Sequence, residues 1–222
     1  MHVLDELNTG IIECKKCPRL AKYIRKVARE KVKRYNDWEY WGRPLPGFGD
    51  PNAKLLIIGL APAAHGGNRT GRMFTGDSSG DWLAKALYES GFANQPTSER
   101  RDDGLTLKGA YITATVRCAP PDNKPAMKEI ENCSCYLLEE LKILKNVKVV
   151  LTLGCVAFNT YTKLHNIKGL KFMHGAFYNH GDVILVASYH PSRQNTQTGR
   201  LTWEEWIKVF RKIRNTINKT RS

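Results

Sequence analysis

The residues best suited to chemistry fall into two sets: six cysteines, and three polar loops that each follow a short apolar run. The cysteines are Cys14, Cys17, Cys118, Cys133, Cys135 and Cys155. The first ten residues, MHVLDELNTG, are unlike a secretory leader, so a reducing compartment is expected and a disulfide framework is the weaker reading. Cys14 and Cys17 stand three apart with Pro18 next, a spacing that on a helix puts both thiols on one face. Cys118 lies just past an apolar run. Cys133 falls on the apolar face of a helical pattern with Ile130 and Leu137, whereas Cys135 is rotated from it by about 200°. The expected ligand set is therefore Cys14, Cys17, Cys118 and Cys133, with Cys135 and Cys155 as bystanders. Four thiolates suit zinc or an iron–sulfur cluster. One close pair followed by two scattered thiols tilts the reading toward the cluster, with zinc as the alternative. Unligated cysteines would be small buried hydrophobes.

The first loop, residues 61–77, carries Ala61, His65, Asn68, Arg69, Phe74 and Asp77. The second, 117–125, carries Asn123 inside a proline-rich turn. The third, 190–200, opens with His190-Pro191-Ser192-Arg193-Gln194. Asp77 precedes Ser78-Ser79, where an aspartate is equally expected as a helix cap. No GxGxxG or Walker pattern occurs, so no nucleotide cofactor is expected.

Four short, nearly continuous apolar runs must position these loops: 54–60, 110–116, 147–154 and 183–189. That is the pattern of strands buried on both faces of a parallel sheet. Helical spacing appears at 80–90 and 126–145, and a last helix opens on the capping-box sequence Thr202-Trp203-Glu204-Glu205. The alternation predicts an α/β chain, a three-layer α/β/α fold around a four-stranded parallel sheet, as a single domain over residues 1–222. The three loops follow the first, second and fourth strands, at the carboxyl edge where such sheets bind ligands. Residues 22–48 are basic and aromatic without a regular period.

The chain has 222 residues, 35 Lys and Arg against 21 Asp and Glu, and a formal net charge of +14. A folded chain this basic points to a polyanion, with nucleic acid as the default partner. No apolar stretch approaches the ~18 residues of a membrane span. The expected protein is a cytoplasmic, nucleoid-associated monomer with no membrane partner.

The segments GLAPAAHG (59–66), NRTGRMFTGD (68–77) and HPS (190–192), together with the four cysteines, closely resemble the uracil-DNA glycosylase superfamily, in its iron–sulfur, family 5 branch. The resemblance covers roughly residues 10–215. It implies a monofunctional DNA-repair glycosylase that flips uracil, and other deaminated bases such as hypoxanthine, out of DNA and hydrolyses the N-glycosidic bond. It also implies a structural [4Fe-4S] cluster on Cys14, Cys17, Cys118 and Cys133.

Cleaving that C–N bond creates a cationic sugar and an anionic base. It calls for a hydrogen-bond donor at the base oxygen, negative charge near the sugar and an oriented water. By resemblance, His190 stabilises the leaving base and Phe74 stacks on it. Ala61 and Ala114 occupy positions where relatives carry a water activator and a base-selecting asparagine. Asp77 is then expected to handle water, with Asn123 assisting or reading the base. His65, Asn68 and Arg69 would border the base or a phosphate, and Ser192, Arg193 and Gln194 would meet DNA. Whether Gln194, Asn195 or another residue fills the gap left by the flipped base stays open. The competing reading is a non-catalytic, metal-containing nucleic-acid-binding protein.

Overall fold

The computed structural model describes residues 3–219. The predicted apolar runs become β2 (Leu55–Gly59), β3 (Ala110–Ala114), β4 (Val149–Leu153) and β6 (Val183–Ser188). Every residue of β2, β3 and β4 is buried, as their unbroken apolar composition requires. These four strands pair in parallel in the order β3-β2-β4-β6.

The expected four-stranded sheet is the centre of a larger, mixed one. Two antiparallel edge strands, β1 (Phe48–Gly49) and β5 (Ala176–His180), extend it to six. Both escape the apolar pattern for a physical reason. β1 is two residues long, and β5 (AFYNH) lies at the sheet edge, where Asn179 and His180 reach solvent. β5 joins β6 through the two-residue turn Gly181-Asp182, with Gly181 at φ +56°. A glycine leading a two-residue connection is a hairpin signal.

Side chains alternate strictly across the sheet. Leu55, Ile57, Ile112, Leu151 and Val186 face α4 (Ser78–Glu89) and α8 (Trp203–Lys219), packing with Leu83, Leu87, Trp206 and Phe210. Leu56, Ile58, Val150 and Leu185 face the opposite way. They pack with Leu4 of α1 (Val3–Ile12), Leu137 of α5 (Met127–Ile143) and Phe158 of α6 (Cys155–Leu164). The predicted box opens α8: Thr202 N–H donates to Glu205 Oε2 at 3.2 Å, and Glu205 N–H donates to Thr202 Oγ1 at 3.2 Å.

Part of the stretch without a regular period is also helical. α2 spans Pro18–Glu30 and buries Leu20, Ile24 and Val27, one stripe in an otherwise charged helix. The strand order reverses between β2 and β4, so the carboxyl ends of β2, β3 and β6 gather the three polar loops around a switch point.

Candidate active site

The loop after β2 is folded around its own polar groups. It includes the short helix α3 (Gly67–Thr70) and ends where Asp77 caps α4. Asn68 is fully buried, and its Nδ2 donates to Ile24 O at 3.3 Å and Ala64 O at 3.4 Å. Arg69 is 3% exposed; its Nε donates to His65 O at 2.7 Å and its Nη2 to Gly76 O at 2.9 Å. One guanidinium thus ties both ends of the loop together. Asn68 and Arg69, expected to border the base or a phosphate, are both buried and donate to internal carbonyls, while Asn68 Oδ1 and Arg69 Nη1 have no hydrogen-bond partner among the described residues.

Arg69 is also sandwiched between the rings of Tyr35 (3.8 Å) and Trp38 (3.9 Å). Arg34 lies 4.3 Å from the Tyr35 ring, and Arg100 lies 4.4 Å from the Trp38 ring. The basic, aromatic stretch lacks a period because its partner is a loop arginine rather than a helix face. Each such contact contributes about 0.5–2 kcal/mol.

Phe74 adopts φ +49°, a left-handed conformation that is strained for an aromatic residue. Its ring reaches the carboxyl end of β2, where a Cβ at Gly59 would come within 2.7 Å of it. The Phe74 and His190 rings face each other at 5.7 Å with a 31° tilt. His190 directly follows Tyr189 at the end of β6. Asn195 Nδ2 holds its carbonyl at 2.8 Å, and no described residue bonds its ring nitrogens. Burial drives its imidazole down to about 4, so the ring is neutral at pH 7.

Asp77 takes the cap role weighed for it. As the N-cap, its Oδ1 accepts from Ser79 N (3.0 Å) and Gly80 N (2.9 Å). Its Oδ2 lies against Gly66, where any Cβ would overlap it. Burial raises the carboxyl above its ordinary value, against the two backbone donors and the Arg69 and Arg193 charges, making it a stronger base than a free aspartate.

Asp77 lines a cleft of about 370 Å³ with His65, Asn123, Ser78 and Arg193, and with Asp122, Tyr23 and Arg34. Such a volume is in the range of small-ligand sites. Asn123 sits on a turn with Asp122, at φ +56° and +53°. Arg193 Nε donates to Ser78 Oγ at 3.3 Å, joining the third loop to the first. Phe74 and His190 pair at the strand ends and are not among the cleft's lining residues.

Ser192 caps α7 (Arg193–Gln197) by accepting from Asn195 N, and Gln194 is exposed on that helix. Ala61 is half-buried beside the thiol-bearing cluster. Ala114 is 1% exposed, in register with Gly59, and packs in the core beneath the carboxyl edge of the sheet. Tyr23, Arg34 and Asp122 are lining residues that sequence reasoning missed. Tyr23 and Arg34 belong to the basic, aromatic stretch, whose only signal was composition.

Cys14 and Cys17 lie in the turn between α1 and α2, not on one helix, and Cys17 is the N-cap position of α2. Cys118 follows β3 and Cys133 lies on α5; both are buried with Leu20, Ile24, Val116, Ala119 and Ile130. Cys118 interacts electrostatically with Cys133, Cys14 and Cys17. Burial pushes the Cys118 thiol up strongly and the Cys133 thiol to about 11. Cys135 instead accepts from Lys16 Nζ at 3.0 Å, and Cys155 is exposed on α6. Among the described residues, no three such ligands close on a single metal ion. The donor set is soft and partly buried in an apolar cluster.

Residues 46–214 match the family model described as the Uracil DNA glycosylase superfamily. A type-5 uracil-DNA glycosylase of Pyrobaculum aerophilum is 46% identical over 208 residues, 94% of this chain and 91% of that protein. One from Thermus thermophilus is 47% identical over 200 residues, covering 89% of this chain and 90% of its own length. A type-4 uracil-DNA glycosylase of Pyrobaculum aerophilum is 31% identical over 196 residues, 85% of this chain and 83% of its own length.

Proposed function

This chain belongs to the uracil DNA glycosylase superfamily, and on that premise we propose that it is a DNA-repair hydrolase that removes uracil from DNA by cleaving the N-glycosidic bond. The observation that carries the catalytic reading is the neutral His190 imidazole, without a hydrogen-bond partner among the described residues and facing the strained Phe74 ring. As the C1′–N bond lengthens, the base leaves with negative charge on its carbonyl oxygen. The neutral imidazole donates its N–H to that oxygen, and a donor preset for the leaving group favours the transition state over the ground state. Phe74 stacks on the flipped base. Asp77 stabilises the sugar cation with its ionised carboxylate. Its Oδ2 orients the water that attacks C1′ and accepts the proton that water releases. Asn123 assists at the same water, His65 contacts the base, and Arg193, with Ser192 and Gln194 on the same turn, meets the DNA backbone.

The substrate range extends to other deaminated bases such as hypoxanthine. Ala114 stands where an asparagine would select uracil, and it is buried. The enzyme works as a monomer at the chromosome. No helix among the described residues is long and apolar enough to cross a membrane.

Cys14, Cys17, Cys118 and Cys133 would hold a [4Fe-4S] cluster. When bound, the group supplies structural cross-linking. These residues join the α1–α2 turn to the loop after β3 and to α5, and thereby anchor the helix that brings Tyr23 to the cleft. Purified under reducing, anaerobic conditions, the protein is expected to be brown, with iron by elemental analysis and a broad absorbance near ~400 nm. Cys118→Ser abolishes that band, whereas Cys155→Ser leaves it intact. A colourless protein with one equivalent of zinc would replace the cluster with zinc.

The reading is tested by incubating the protein with oligonucleotides containing uracil or hypoxanthine, single- and double-stranded, followed by alkali. Strand cleavage at the lesion marks the abasic product. Tight binding without any abasic product would leave the non-catalytic binding protein as the reading. The basic charge predicts that DNA affinity falls steeply as salt rises, through release of counterions from the phosphates.

A further inference from the structure

Tyr40 lies outside the sequence motifs, in the segment between α2 and β1. That segment runs beside α3: Trp41 N donates to Arg69 O at 3.0 Å, and Gly42 N donates to Asn68 O at 3.1 Å. The strip holds Tyr40 in place, 8% exposed, with its hydroxyl 3.0 Å from His65 Nδ1. The two rings meet edge to face at 6.0 Å and 80°. Arg69 fixes the same histidine from the other side, through its carbonyl. The imidazole lines the cleft, and its second nitrogen has no partner among the described residues.

A neutral imidazole carries one N–H and one lone pair, and the partner at one nitrogen decides which of them the other presents. A tyrosine hydroxyl serves as donor or acceptor. When it donates to Nδ1, His65 offers an N–H from Nε2, which suits a carbonyl oxygen. When it accepts from Nδ1–H, His65 offers a lone pair from Nε2, which suits a ring N–H. Deaminated bases present these two groups side by side, a carbonyl next to an N–H. We propose that Tyr40 is a positioning residue that holds His65 at Nδ1 and, by donating or accepting there, supports either tautomer, making His65 an adaptable reader of the lactam edge shared by deaminated bases. This inference rests on the glycosylase reading of the cleft. Burial, with Arg34 and Arg69 nearby, holds the His65 imidazole below its ordinary value, which keeps it in the neutral form that has two tautomers.

The test combines single-turnover excision of uracil with ¹⁵N spectra of the His65 ring in the wild-type protein, Tyr40→Phe, His65→Ala and the double variant. Tyr40→Phe is expected to slow excision about tenfold, the scale of one hydrogen bond. The double variant is expected to be no slower than His65→Ala, because Tyr40 acts only through that ring. The His65 nitrogen shifts are expected to move in Tyr40→Phe while the unfolding midpoint stays close to that of the wild-type protein, which a purely structural tyrosine would not produce. Unchanged His65 shifts, a wild-type rate in Tyr40→Phe, or losses that multiply in the double variant would each overturn the inference. A wild-type protein that releases no base overturns the glycosylase reading instead.

Discussion

Replacing His190 with alanine lowers single-turnover uracil excision by about 10²- to 10³-fold, the usual cost of removing one preorganised donor from a developing oxyanion. The loss falls on the chemical step, because the imidazole is matched to a charge that exists only as the base departs. DNA binding, set by the basic surface, changes little. His190→Asn retains a donor and recovers part of the rate. The imidazole titrates at about 4, so the wild-type rate shows no inflection near pH 6.5 from this residue. The linkage has a definite sign. The unfolded histidine binds a proton below its ordinary 6.5 and the folded one only below about 4. The stability of the folded state is therefore fully present above pH 6.5 and declines as pH falls toward 4. His190→Ala removes that decline. Wild-type excision by His190→Ala, or a ring that titrates near 6.5 by NMR, would remove His190 from the role.

Asp77 gives the second large effect, and two substitutions separate its two roles. Asn is as good an N-cap as Asp, so Asp77→Asn is expected to keep α4 and the unfolding midpoint. It removes the negative charge and the basic oxygen, and excision is expected to fall by about 10² or more, the scale of general-base catalysis. Asp77→Ala loses both functions and is expected to cost about 1 kcal/mol of stability as well. Excision at the wild-type rate by a normally stable Asp77→Asn would reduce Asp77 to a cap. The two substitutions can be separated because Oδ1 takes both backbone donors while Oδ2 stays out of the cap.

The fold was largely legible because its core strands are buried on both faces and read as unbroken apolar runs. The edge strands were not, since β1 is too short and β5 too polar to carry that signal. The capping box opening α8 was readable because reciprocal hydrogen bonds between Thr202 and Glu205 need only neighbours in sequence. Helical rotation is a local property, so Cys133 and Cys135 are read onto different faces of α5; Cys133 is buried with Cys118, and Cys135 accepts from Lys16 Nζ. Cys14 and Cys17 lie in a turn instead, where Pro18 opens the next helix.

The amino-acid sequence by itself determined the four central strands, the three loops at one edge of the sheet, the family and the residue types suited to the reaction. These depend on periodicity and on contiguous motifs. Only the tertiary structure decided which polar side chains remain free to act. Asn68 and Arg69 stand beside His65 in the same motif, yet burial commits them to carbonyls of the loop and of α2. Tyr23 and Arg34 reach the cleft, and Tyr40 reaches His65, from a segment with no motif at all. A sequence lists donors and acceptors, but their partners are fixed by groups distant along the chain. An exposed-looking arginine becomes a strut, and an unremarked tyrosine becomes a neighbour of the cleft, only when the chain closes on itself.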